Sequence, residues 1–124
     1  MGRKKIVIVD DDPDYRDGLK EFLAREAEVL AYESPDDFAE HVSSPDDLRG
    51  VSLIVLDYCF DTFNALDKDL LGFIREDLRY KGKLVLWSLE DDIVPEYKKR
   101  FDAVLPKKLL SLAEIEQCLE TSCT

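Results

Sequence analysis

Most features that announce a familiar chemistry are absent from the sequence. Among its 124 residues is a single histidine, His41, set in a polar stretch where it reads as a solvated side chain. No Ser-His-Asp arrangement, P-loop or GxGxxG is present, so serine hydrolysis and nucleotide binding have no support. The three cysteines, Cys59, Cys118 and Cys123, are odd in number and form no CxxC pair, which excludes a disulfide framework and a zinc ribbon and fits a reducing cytoplasm. No apolar run approaches the thickness of a bilayer. The run after Arg3, Lys4 and Lys5 covers only Ile6 to Val9 before three aspartates stop it, so it is not a signal peptide. Positive charge is scarce: 17 Lys and Arg face 28 Asp and Glu, a net charge of −11. Such a chain repels phosphate backbones and anionic lipid, leaving nucleic acid and membranes as poor partners and cations or basic protein patches as better ones.

What the sequence does hold is enough apolar residue, 45%, for one core of ordinary size, and a regular alternation of two hydrophobic periods. Lys5 to Val9 is a β-branched run. Asp12-Pro13 follows as an N-cap with proline at the first helical position, and Tyr15, Leu19, Phe22 and Leu23 then recur at helical spacing, fading near Ala27. Glu28 to Tyr32 reads as a second strand and Ser34-Pro35-Asp36-Asp37 as a second helix start, running to about Val42. The SPDD recurs at Ser44, but nothing after it repeats. Val51 to Leu56 is almost wholly apolar, as a strand covered on both faces should be. An aromatic-rich loop, a helix carrying Leu70, Phe73, Ile74 and Leu78, and a strand from Lys83 to Trp87 come next. Glu90 to Phe101 reads as a weaker helix interrupted by Pro95, Asp102 to Leu105 as a final strand, and Ser111 to Glu114 as a capping box opening the last helix. Five βα units predict an α/β fold with a parallel sheet between two helical layers.

In such sheets ligands bind beyond the carboxyl ends of the strands. The residues there are Asp10 and Asp11 after the first strand, Asp57 after the third, Ser88 after the fourth and Lys107 after the fifth. Two carboxylates about 4 Å apart repel by roughly 4 kcal/mol at an effective dielectric near 20, so the group needs a counter-charge. A Mg²⁺ ion held by oxygen ligands meets that need and keeps positions open for phosphate oxygens. Asp12 reads as the helix cap and not as a ligand. Carboxylate, hydroxyl and ammonium together suit the handling of a phosphoryl group, and a carboxylate is itself a competent phosphoryl acceptor.

These residues resemble the receiver domains of bacterial two-component response regulators over essentially the whole chain, in the motifs IVIVDDDP, LIVLDYCF and VLPKK. The resemblance implies a doubly wound five-stranded sheet in the order 2-1-3-4-5. It implies Mg²⁺ held by Asp10, Asp11, Asp57 and the Cys59 backbone carbonyl, with Asp57 as phosphoacceptor and Ser88 and Lys107 as its supporting pair. It further implies a sensor histidine kinase or histidine phosphotransfer protein as donor and a downstream protein that reads the phosphorylated surface. Residues 1–124 are then expected to be one receiver domain with no output domain. It is not expected to be an enzyme beyond phosphorylating and dephosphorylating itself.

Several positions depart from the family pattern. Lys108 stands where proline usually follows the lysine, Phe60 to Asn64 replace the usual loop after the phosphoacceptor, bulky Leu89 follows the hydroxyl residue, and Val104 replaces an aromatic in the fifth strand. Leu89 predicts slow phosphoryl chemistry, and Val104 an absent or rebuilt switch. Two other readings stay open on the sequence: a pseudo-receiver that binds a partner without phosphorylation, and an aspartate-nucleophile phosphatase using Asp10 with Asp12.

Overall fold

The computed structural model describes residues 4–57, 70–88, 95–107 and 112–117. Strands β1 (Lys4–Val9), β2 (Ala27–Tyr32), β3 (Val51–Asp57), β4 (Lys83–Ser88) and β5 (Ala103–Pro106) form one sheet in the order β2-β1-β3-β4-β5, every neighbouring pair parallel. The helices are α1 (Pro13–Leu23), α2 (Pro35–His41), α3 (Leu70–Gly72, continued by a π turn over Phe73–Asp77), α4 (Pro95–Lys98) and α5 (residues 112–117). This is the doubly wound order expected from the resemblance.

The central strands are apolar at nearly every position because both of their faces are covered. Alternate side chains feed two cores. Val7, Val9, Ile54, Leu56, Leu84 and Leu86 pack on one face with Phe38, Phe73 and Ile74. Ile6, Ile8, Leu53, Val55, Val85 and Trp87 pack on the other with Leu19, Leu23 and Ile115. The edge strands β2 and β5 are more exposed along most of their length. Val104 is half-buried against the first of these cores.

Local chemistry sets the helix starts. Asp12 caps α1 by accepting from Asp14 N at 2.9 Å, and Ser34 caps α2 by accepting from Asp37 N at 3.0 Å, each with proline in the first turn. The second SPDD opens a 3₁₀ turn, Pro45–Leu48, through the opposite bond: Asp47 Oδ2 accepts from Ser44 N at 3.1 Å. Pro95 lies in α4, and the part of the expected helix before it, from Glu90 to Val94, lies outside the described residues. The first helix also stops earlier than its apolar pattern suggests, at Leu23, because β2 already begins at Ala27.

The turn into β4 is held by side chains. Arg75 Nη1 donates to the carbonyls of Tyr80 and Gly82, both at 2.9 Å, and Tyr80 Oη donates to Lys83 O at 2.9 Å. Asp102 Oδ2 accepts from Leu84 N at 2.7 Å, tying β4 to the start of β5. These bonds fix the register in which β4 delivers Trp87 and Ser88 to the carboxyl end of the sheet.

Candidate functional site

Among the described residues, four at that end combine ionisable or polar chemistry with burial: Asp10, Asp57, Ser88 and Lys107 are 1%, 4%, 2% and 6% exposed. The backbone explains why. Asp10 lies one residue past β1, its N–H donating to Tyr32 O at 3.1 Å so that the ladder continues into the loop. Its Oδ1 accepts from Asp12 N at 2.9 Å, and Arg16 Nη1 donates to its carbonyl at 3.0 Å. Asp57 is the last residue of β3, in register with Trp87. Lys107 N donates to Ser88 O at 2.9 Å, joining the ends of β4 and β5.

The Lys107 ammonium lies 2.8 Å from Asp10 Oδ2 and 3.2 Å from Asp57 Oδ1. It also sits over two aromatic faces, 4.8 Å from the Tyr15 ring centre and 5.7 Å from that of Trp87. Burial, and then the Asp10 charge, push the Asp57 carboxyl up to about 6, against the opposing pull of Lys107. Burial works against the charge of Lys107, but the two carboxylates more than restore it and hold its pKa above the usual lysine value.

Carboxylate oxygens of Asp10, Asp11 and Asp57 come within 4.8 Å of one another, with Asp11 exposed at the mouth. Three ionised carboxylates and one ammonium leave a residual charge of about −2, and every candidate donor is a hard oxygen, so the residues fit a divalent cation of the Mg²⁺ type. The sequence expectation that Asp10, Asp11, Asp57 and Lys107 converge corresponds to this geometry, and Ser88 is joined to it through the Lys107 backbone. Cys59, Phe60 to Asn64, Leu89, Lys108 and Ser111 lie outside the described residues. Asp12 is engaged as the α1 cap. His41 is exposed, with Nδ1 2.9 Å from Asp37 O.

Sequence reasoning missed the role of Tyr15 and Trp87 beside Lys107. A signal was present: Trp87 continues the alternation of Val85 and, in register with Asp57, falls on the same face of the sheet.

No family model and no curated protein matches the sequence. Solved structures do match, and they are response regulator receiver domains. The response regulator TrrA from Thermotoga maritima, in complex with Mg²⁺-BeF, is 22% identical with a TM-score of 0.73, over 96% of this chain and 98% of that one. A CheY-like receiver domain from Methylobacillus flagellatus is 24% identical with a TM-score of 0.68, over 98% and 99%. A structure of the P1 domain of CheA3 in complex with CheY6 from R. sphaeroides is 18% identical with a TM-score of 0.71, over 99% and 98%. The chain therefore has the receiver fold, carrying an acidic cluster of Asp10, Asp11 and Asp57 at the carboxyl end of its sheet. Among the described residues, no helix is long and apolar enough to cross a membrane.

Proposed function

We propose that this chain is a phosphoacceptor receiver domain that takes a phosphoryl group from a phosphohistidine onto Asp57. The observation that carries the reading is the burial of Asp57 with Lys107 3.2 Å away and Asp10 and Asp11 within 4.8 Å. A strand-end carboxylate with a fixed ammonium and two further carboxylates is the set that phosphoryl transfer to an aspartate requires.

Asp10, Asp11, Asp57 and the Cys59 carbonyl would hold Mg²⁺. When bound, the ion supplies positive charge that offsets the oxygens of the transferring group. An Asp57 carboxylate oxygen attacks phosphorus, the P–N bond to the donor imidazole breaks, and the imidazole nitrogen keeps the electron pair and takes a proton from solvent. Lys107 donates to a phosphoryl oxygen, and Ser88 supplies a hydroxyl to another. Hydrolysis returns the site when water attacks phosphorus and the Asp57 carboxylate leaves.

Donors of the histidine kinase or histidine phosphotransfer class fit an acidic chain of this fold, and the CheA3 P1–CheY6 complex supports such a partner. Phosphorylation then biases a surface that a downstream protein reads. A single domain over residues 1–124 acting in the cytoplasm, without enzymatic turnover of other substrates, completes the proposal.

The test is ¹⁹F NMR of Mg²⁺ with fluoroberyllate, a phosphoryl mimic. A bound fluorine resonance that needs both Mg²⁺ and Asp57, and is lost in Asp57→Asn, is the expected result. A folded wild-type chain that never binds the mimic would contradict the proposal and favour the pseudo-receiver.

A further inference from the structure

The ammonium of Lys107 is enclosed by more than its carboxylates. Asp10 and Asp57 take two of its three donor directions, while the Tyr15 and Trp87 rings stand 4.8 and 5.7 Å from Nζ. Both separations are within reach of a cation–π attraction, which strengthens when the cation is desolvated, as this one is. The rings also support each other edge to face, with centroids 5.6 Å apart and planes at 87°.

A second observation concerns the choice of tryptophan. Trp87 is 2% exposed, yet its Nε1 has no hydrogen-bond acceptor among the described residues. A buried indole N–H without an acceptor is a cost that phenylalanine or leucine would avoid. Among the described residues, hydrogen bonding therefore does not account for the tryptophan, whereas its ring lies within cation–π reach of the ammonium.

A third is the groove alongside. Tyr15, Trp87 and Lys107 line a cavity of about 830 Å³ with Leu19, Phe22 and Leu112, between α1 and the start of α5. Tyr15 is only half-buried on α1. Loss of its ring would open the ammonium to water in that groove, giving the lysine new rotamers and screening its charge.

We infer that Tyr15 and Trp87 are positioning residues for Lys107, an aromatic wall that keeps the ammonium aimed at Asp57 and at a phosphoryl group carried there. The aiming function rests on the proposed phosphoacceptor reading; the wall itself does not. Neither ring touches the reacting atoms.

The test uses the full chain with Tyr15→Leu, which removes the ring, and Tyr15→Phe, which keeps it. Ring currents should move the Lys107 side-chain proton resonances upfield in the wild-type protein, a measurement that needs no variant. The displacement should persist in Tyr15→Phe and relax in Tyr15→Leu. Fluoroberyllate affinity with Mg²⁺ should fall about fivefold in Tyr15→Leu and return in Tyr15→Phe. Ordinary Lys107 shifts in the wild type, or equal affinities in all three proteins, would overturn the inference. If the wild type shows the ring-current signature but binds no fluoroberyllate, the wall stands, its role in aiming is overturned, and the phosphoacceptor reading fails.

Discussion

Lys107 and Asp57, the ends of strands two positions apart in the sheet, meet at 3.2 Å with both side chains 2% exposed. A buried ammonium between two carboxylates is held by Coulomb attraction that would be weak at the surface, and each partner left alone would be a buried charge. The site is thus a balance of charge that metal, protons and substitution should each disturb in a definite direction.

The first disturbance is removal of the ammonium. Lys107→Met should destabilise the metal-free protein by about 2–4 kcal/mol at pH 8, because Asp10 and Asp57 then face each other without it. The loss should shrink at pH 5, where Asp57 can take a proton. Urea unfolding at the two pH values measures the difference, and equal losses would mean that the three charges are not coupled.

Protons act on Asp57 directly. Its folded-state pKa, about 6, lies above the ordinary carboxylate value, so the folded protein binds more protons than the unfolded chain between about pH 4 and 6. Its contribution to stability is therefore fully present at low pH and is lost as pH rises through 6. After allowance for solvent screening the change is of the order of 1–2 kcal/mol. Urea titrations in chelator at pH 5 and 7.5 should show it against Asp57→Asn, in which this part of the pH dependence disappears.

The same sign predicts that Asp57→Asn stabilises the metal-free protein at pH 8 by about 1 kcal/mol, since the neutral amide relieves burial of a charge and the repulsion from Asp10. In return the variant should lose most of the rise in melting temperature that millimolar Mg²⁺ gives the wild type. A variant that is both less stable in chelator and still stabilised by Mg²⁺ would place the ion elsewhere.

Away from the site, the turn that delivers β4 has one position with no room. A Cβ at Gly82 would run into the ring and hydroxyl of Tyr80, whose Oη donates to Lys83 O. Gly82→Ala should therefore cost about 2–3 kcal/mol in urea unfolding, through displacement of a buried, hydrogen-bonded tyrosine. A change near zero would show that Tyr80 can leave without disturbing the turn.

Much of this was legible in the sequence because local chemistry and the tertiary fold agree. The Asp12-Pro13 and Ser34-Pro35 starts are capped as their spacing predicts, and the apolar runs at residues 51–56 and 83–87 are strands buried on both faces. The π turn at Phe73–Asp77, ending near Arg79 with φ of 55°, left no mark in the hydrophobic period. Tyr15 belonged to the apolar stripe of α1, so its period said that it faces the sheet and not that an ammonium from residue 107 lies over its ring. That relationship joins three distant parts of the chain and exists only once the sheet is ordered.

The measurement that tests the account most directly is intact mass after incubation with acetyl phosphate and Mg²⁺, for the wild type and Asp57→Asn side by side. The account predicts a gain of one phosphoryl group that requires Mg²⁺ and is absent from the variant. A folded wild-type protein that gains nothing, or a variant that gains as much as the wild type, would contradict Asp57 as the acceptor.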